Sequence, residues 1–186
     1  MNHPDPLRAL DRPVVLVGLM GVGKTTVGRR LAARLNRPFI DADEEIEAAA
    51  GRPVAEIFAD FGEAAFRDGE RRVIARLLES PSPMVLALGG GAFVQDEVRA
   101  LVKARAISIW LRADLDTLMS RVSRRPGVRP LLNDDDPRAV MARLMEARAP
   151  AYGQADIVVD SDAGSHDVTA RLVLEALSDW LEGARP

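Results

Sequence analysis

The chain has 186 residues, 47% of them hydrophobic, which suits one domain with a sizeable core. Its 25 basic and 28 acidic residues leave a formal charge of −3, a near balance that gives no support for a nucleic-acid or membrane-surface partner. The absence of cysteine excludes disulfides, thiolate metal sites and a cysteine nucleophile.

In chain order, the start "MNHPDPLRAL" lacks the basic-then-apolar order of a secretory signal, and no apolar run approaches the ~18 residues of a membrane span. A cytoplasmic protein is expected. The first strand is predicted at 13–18, "PVVLVG", and runs into "GLMGVGKTT", where Gly18, Gly23, Lys24 and Thr25 keep the P-loop spacing ahead of a helix predicted at 25–35. In such a loop the backbone N–H groups of Gly21, Val22, Gly23, Lys24, Thr25 and Thr26 wrap a polyphosphate at the positive end of the helix. Lys24 is expected to reach the β- and γ-phosphates as a catalytic group, and the Thr25 hydroxyl to ligate Mg²⁺. The pattern does not say what the nucleotide is used for.

A second strand at 38–42 leads into "FIDADEEIE", placing Asp41 and Asp43 near its carboxyl end, where ligands bind in open α/β sheets. One carboxylate suits Mg²⁺ and the other a substrate hydroxyl; a plain helix cap with acidic first-turn residues is the alternative. In the helix predicted at 63–78, Arg67 and Glu70 are either a surface pair or a guanidinium held ready for a substrate carboxylate. The third strand, 84–89, ends in Gly89, Gly90 and Gly91, which serve either a turn or a close approach to the backbone. Helices at 96–103, 115–122, 137–148 and 167–180 alternate with strands at 106–111 and 156–160, while 123–137, rich in proline, glycine and charge, reads as a loop. Continuous apolar strands between amphipathic helices imply an α/β sandwich with five parallel strands, each buried on both faces. Neither an internal repeat nor a linker divides residues 1–186.

The P-loop, "DAD" at 41–43, "FR" with Glu70, "GGGA" at 89–92, "RPLL" at 129–132 and "RAPAY" at 148–152 together resemble the shikimate kinase family in order and spacing, over almost the whole chain from about Val14. The resemblance implies a three-layer P-loop kinase fold with strand order 2-3-1-4-5 and a mobile lid at about 123–137. It implies transfer of the γ-phosphate of ATP to the 3-hydroxyl of shikimate, with Mg²⁺, in the pathway to aromatic amino acids. By the same resemblance, Asp43 binds ring hydroxyls as candidate base and Asp41 sits near Mg²⁺ with Thr25. Arg67 and Arg148 grip the carboxylate, and Gly89, Gly90 and Gly91 line the pocket. Arg129 comes from the lid to the phosphates as a catalytic group, Arg121 packs by adenine, and the backbone at 160–165 touches the base. A monomer is expected. The first dozen residues lie outside the resemblance and are expected to be flexible.

A small ring bearing one carboxylate and three hydroxyls calls for arginines at one end of its pocket and a carboxylate at the other. Gluconate, another acid-bearing acceptor, is the nearest rival. A nucleotide-dependent switch would need no such trio, and the guanine-reading Asn-Lys-x-Asp segment of a GTPase is absent.

Overall fold

Five parallel strands form one sheet: β1 (Val14–Val17), β2 (Phe39–Asp41), β3 (Val85–Ala87), β4 (Ile107–Arg112) and β5 (Ile157–Asp160), ordered β2-β3-β1-β4-β5. The expected topology is therefore present. The computed structural model describes residues 6–124, 136–161 and 164–183. Leu16 of β1 lies opposite Ala87 of β3 and Ile109 of β4, and all four residues of β1 are buried, as a strand covered on both faces requires. The edges depart from that expectation. Val158 of β5 is 43% exposed and β2 is only half-buried, because an edge strand lacks a neighbour on one side and is covered less completely.

Seven helices lie among the described residues: α1 (Lys24–Leu35), α2 (Ala42–Ala50), α3 (Val54–Leu78), α4 (Asp96–Arg105), α5 (Leu115–Ser123), α6 (Pro137–Tyr152) and α7 (His166–Gly183). Helix α1 packs on α7 through faces that bury Val27, Leu31, Val173 and Leu177. Three helices differ from the sequence expectation, α2 because it is not among the predicted helices. Helix α2 starts directly after β2, because the Asp41 carboxylate caps it by accepting from the Asp43 N–H at 3.0 Å. Helix α3 begins at Val54, and the predicted start at 63 falls just after a kink at Gly62, whose φ of 77° and ψ of 173° break the helical run. Helix α6 continues through Pro150 to Tyr152, beyond the predicted end at 148. So near the end the proline forfeits one bond only, and Gly153 N–H closes the helix on the Ala149 carbonyl at 2.8 Å.

Residues 6–12 are tied to the body of the protein. A 3₁₀ turn at Pro6–Ala9 precedes a buried Leu10, and Arg37 donates to the carbonyls of Leu10 and of Arg12, the latter at 2.8 Å. The core divides in two. A large cluster fills both sides of the sheet, and a small one, Ile46, Ile57 and Phe66 with Val54, Phe58 and Val73, joins α2 to α3.

Candidate active site

At the carboxyl end of β1, the chain enters α1 through Gly23, which caps the helix in the left-handed region at φ 102° and offers no side-chain cap. The first turn carries no acidic residue, so the leading N–H groups and the helix dipole stay available to an anion. Gly21, Gly23, Lys24, Thr25 and Thr26 all line one cavity of about 540 Å³. The Lys24 ammonium donates to the carbonyls of Gly18 at 2.7 Å and Leu19 at 3.0 Å, which folds it over the loop. Thr25 Oγ1 donates to Asp41 Oδ2 at 2.9 Å, bringing a hydroxyl and a carboxylate together beside the loop. These two hard oxygen donors fit Mg²⁺, which takes few protein ligands and completes its shell with phosphate and water. Among the described residues, no group of three His, Cys, Asp or Glu could hold a metal by itself.

Val22 is placed differently from its neighbours. Its side chain is buried in the core, and its carbonyl accepts from Arg121 at 3.0 Å and from the Ser161 hydroxyl at 3.2 Å. Arg121 also donates to the Ser161 carbonyl at 2.6 Å, so one guanidinium ties the P-loop to the end of β5 while lining the cavity. His166, at the start of α7, lies against the loop: a Cβ on Gly23 would sit 2.7 Å from its imidazole Cδ2.

The other part of the same cavity is built around residues 89–91. None of these glycines has a positive φ, so no turn conformation demands them. Close approach does. A Cβ on Gly89 would lie 2.8 Å from Asp43 Oδ1, one on Gly90 would lie 2.9 Å from an Arg148 guanidinium nitrogen, and one on Gly91 would lie 2.3 Å from Arg67. The missing side chains make room for the charged groups themselves. A carboxylate thus stands over one end of the glycine run and two guanidiniums over the other.

Because Asp41 is the cap of α2, Asp43 is released from that duty and lines the cavity. It reaches solvent through the opening yet stands in a concave wall of protein. Burial therefore pushes its carboxyl above the ordinary value, Asp41 adds to the rise, and Lys24 and Arg67 pull against it. Glu70 is 1% exposed, and one of its oxygens accepts from Arg67 at 2.7 Å and from Gln95 at 2.7 Å. Burial raises its pKa too, with Arg67 opposing. The pair is therefore not a surface one: the Glu70 side chain is buried and that of Arg67 is 23% exposed. Arg67 also lies 5.2 Å from the centre of the Phe66 ring, within cation–π range.

The cavity gathers Gly21, Gly23, Lys24, Thr25, Thr26, Asp41, Asp43, Arg67, Gly89, Gly90, Gly91, Arg121 and Arg148, every expected site residue except Val22 and Arg129. Arg129 and the expected lid from 125 to 135 lie outside the described residues. Sequence reasoning missed Gln95, Phe58 and His166. Gln95 carries no local signal, whereas Phe58 lies in the part of α3 that the kink at Gly62 hides.

A phosphate cradle facing an acceptor pocket at the carboxyl ends of parallel strands defines a P-loop kinase. A family model described as shikimate kinase matches residues 20–178. The shikimate kinase of Caulobacter vibrioides is 58% identical over 172 residues, covering 92% of this chain and 84% of that protein, and the shikimate kinase of Novosphingobium aromaticivorans is 54% identical over 177 residues, covering 94% and 91%. The solved shikimate kinase from Acinetobacter baumannii in complex with shikimate superposes with a TM-score of 0.87 at 34% identity, covering 97% of this chain and all of that one. The chain belongs to the shikimate kinase family. A gluconokinase from Sinorhizobium meliloti, at 20% identity and a TM-score of 0.67, shares the fold alone.

Proposed function

We infer that the protein is an ATP-dependent kinase that transfers the γ-phosphate of ATP to the 3-hydroxyl of shikimate, giving shikimate 3-phosphate and ADP. The observation that carries this reading is the order of charges along residues 89–91: Asp43 at Gly89, Arg148 at Gly90 and Arg67 at Gly91. A ring with hydroxyls on one side and a carboxylate on the other matches that order, with Arg67 and Arg148 taking the carboxylate and Asp43 the hydroxyls.

In this reading the P-loop N–H groups hold the polyphosphate, and Lys24 turns from the Gly18 and Leu19 carbonyls toward the phosphates, where charge spreads as the phosphoryl group moves. Asp43 accepts the proton of the attacking hydroxyl; its raised affinity for protons suits a base. Glu70, buried behind Arg67, keeps the guanidinium extended toward the acceptor. Thr25 and Asp41 would hold Mg²⁺, which supplies positive charge to the phosphates. Arg121 is assigned to the adenine end and Arg129 to the phosphates, as family membership implies. We read residues 1–186 as one kinase domain acting as a cytoplasmic monomer; no described helix is long and apolar enough to cross a membrane.

The test is release of ADP by the purified protein with Mg²⁺ and ATP, run with shikimate, with gluconate and without acceptor. Stimulation by shikimate alone is expected. Stimulation by gluconate instead, or equal release in all three, would overturn the acceptor assignment.

A further inference from the structure

Two residues of α6 converge on Gly90. Arg148 lies over its Cα, and Tyr152, one helical turn on, donates its hydroxyl to the Gly90 carbonyl. They share a helix face because α6 runs unbroken through Pro150, keeping the four-residue spacing. Tyr152 is 1% exposed and reaches from the core beneath the sheet's carboxyl end up to the glycine run.

We propose that Tyr152 is a positioning residue of the acceptor site: its hydroxyl fixes the Gly90 peptide and, beside it, the Arg148 guanidinium, so that both meet the acceptor carboxylate in one orientation. The proposal rests on reading this cavity as the shikimate site. Three observations carry it. The hydroxyl has a half-buried carbonyl as its partner, and that carbonyl belongs to the middle residue of the three that order the charged groups. The phenol also feels Arg148 directly: burial raises the Tyr152 pKa, and the charge and hydrogen bonding of Arg148 oppose the rise. Lastly, the hydroxyl acts from a fixed base, since the ring is almost wholly buried. The ring rests on Trp110, centroids 5.8 Å apart, and borders a second, mostly apolar cavity of about 210 Å³ lined also by Leu19, Val22, Leu118 and Met145.

Tyr152→Phe keeps the ring and deletes one oxygen. The expected result is a shikimate KM about tenfold higher, equivalent to about 1.4 kcal/mol, with kcat and the ATP KM within twofold. Amide hydrogen exchange at Gly90 and Gly91 should quicken at least tenfold, and the thermal midpoint should stay within a few degrees. A shikimate KM within twofold of the unsubstituted protein, with exchange unchanged, would overturn the proposal. So would loss of folding, or both Michaelis constants rising together, since the hydroxyl would then be a general strut. If the unsubstituted protein fails to turn over shikimate, the substrate reading falls by itself; exchange at Gly90 and Gly91 still decides whether Tyr152 holds that peptide.

Discussion

At the scale of single residues, each charged group in the cavity makes a contact that can be removed separately. Lys24 is held by backbone carbonyls of its own loop, so its loss should leave the fold intact while removing a charge from the transferring phosphate. Lys24→Ala is expected to lower kcat by at least ~100-fold with an unchanged circular dichroism spectrum. Gly91 tests the opposite operation, adding an atom. Its Cβ would collide with the Arg67 guanidinium, the far end of a long side chain that shifts more easily than backbone even while it donates to Glu70. Gly91→Ala should therefore raise the shikimate KM about tenfold, at a stability change within ~1 kcal/mol, and leave the ATP KM unchanged.

Asp43 couples chemistry to stability through pH. Its folded pKa is raised, chiefly by burial, so the folded state favours the protonated form more than the unfolded chain does. The group therefore contributes stability at acid pH that is lost as pH rises through its folded pKa. The ionised form of the carboxylate is thus the one its surroundings disfavour, by burial and by the nearby Asp41. Asp43→Asn should abolish turnover by at least ~100-fold and raise the thermal midpoint at pH 7, a gain that shrinks as the pH is lowered into the carboxylate range. Thermal melts at pH 4 and pH 7 decide it; an Asn variant less stable at pH 7 would mean that the Asp43 charge is satisfied in the fold.

At the scale of elements, the kink at Gly62 divides the stretch of α3 that lines the cavity. It lies between Phe58, which lines the cavity, and Phe66 and Arg67, which line it from the next segment of the same helix. A Cβ at Gly62 would touch nothing within 4 Å, so the obstacle to substitution is its backbone conformation alone, a region open in practice only to glycine. Gly62→Ala should cost about 1–3 kcal/mol and raise the shikimate KM by re-aiming Val54 and Phe58. Chemical denaturation measures the first and steady-state kinetics the second.

The kink also explains what the sequence could and could not disclose. The P-loop was legible because its chemistry sits in nine consecutive residues between a strand and a helix, so spacing alone carries the geometry. Arg67 and Glu70 were legible as a pair but not as a buried one, since burial comes from Gln95 and the glycine run, distant in the chain. Asp41 and Asp43 could exchange roles on paper; what the spacing left open is which of them caps α2, and the bond from Asp43 N–H gives that to Asp41. The first half of α3 was hidden because Gly62 interrupts the helical period. The helix predicted at 137–148 ends short of Tyr152 and so concealed that this residue stays in line with Arg148.

At the scale of the whole molecule, the two apolar clusters predict two levels of local stability. The large cluster holds the sheet, α1 and α7, with residues such as Val14, Leu31, Ile109 and Val173 at zero exposure. The small one, Ile46, Ile57 and Phe66 with three partly buried neighbours, carries α2 and the first half of α3, where most other positions face solvent. Opening a region costs free energy in proportion to the apolar surface and backbone bonds it exposes, so 42–66 should open at lower cost than the sheet. This weaker region also carries Asp43, Val54, Phe58 and Phe66 to the acceptor cavity, whereas the nucleotide end stands on β1 and α1 in the large cluster. Ligands that bind only the closed form should suppress its opening by mass action. Native-state hydrogen exchange should accordingly show faster exchange in 42–66 than in α1. Shikimate should slow it there by more than ADP does, and ADP should protect 18–27 first. Uniform protection across both regions, or equal slowing of 42–66 by either ligand, would mean that the two clusters unfold as one unit and that the acceptor site gains no separate freedom from its small core.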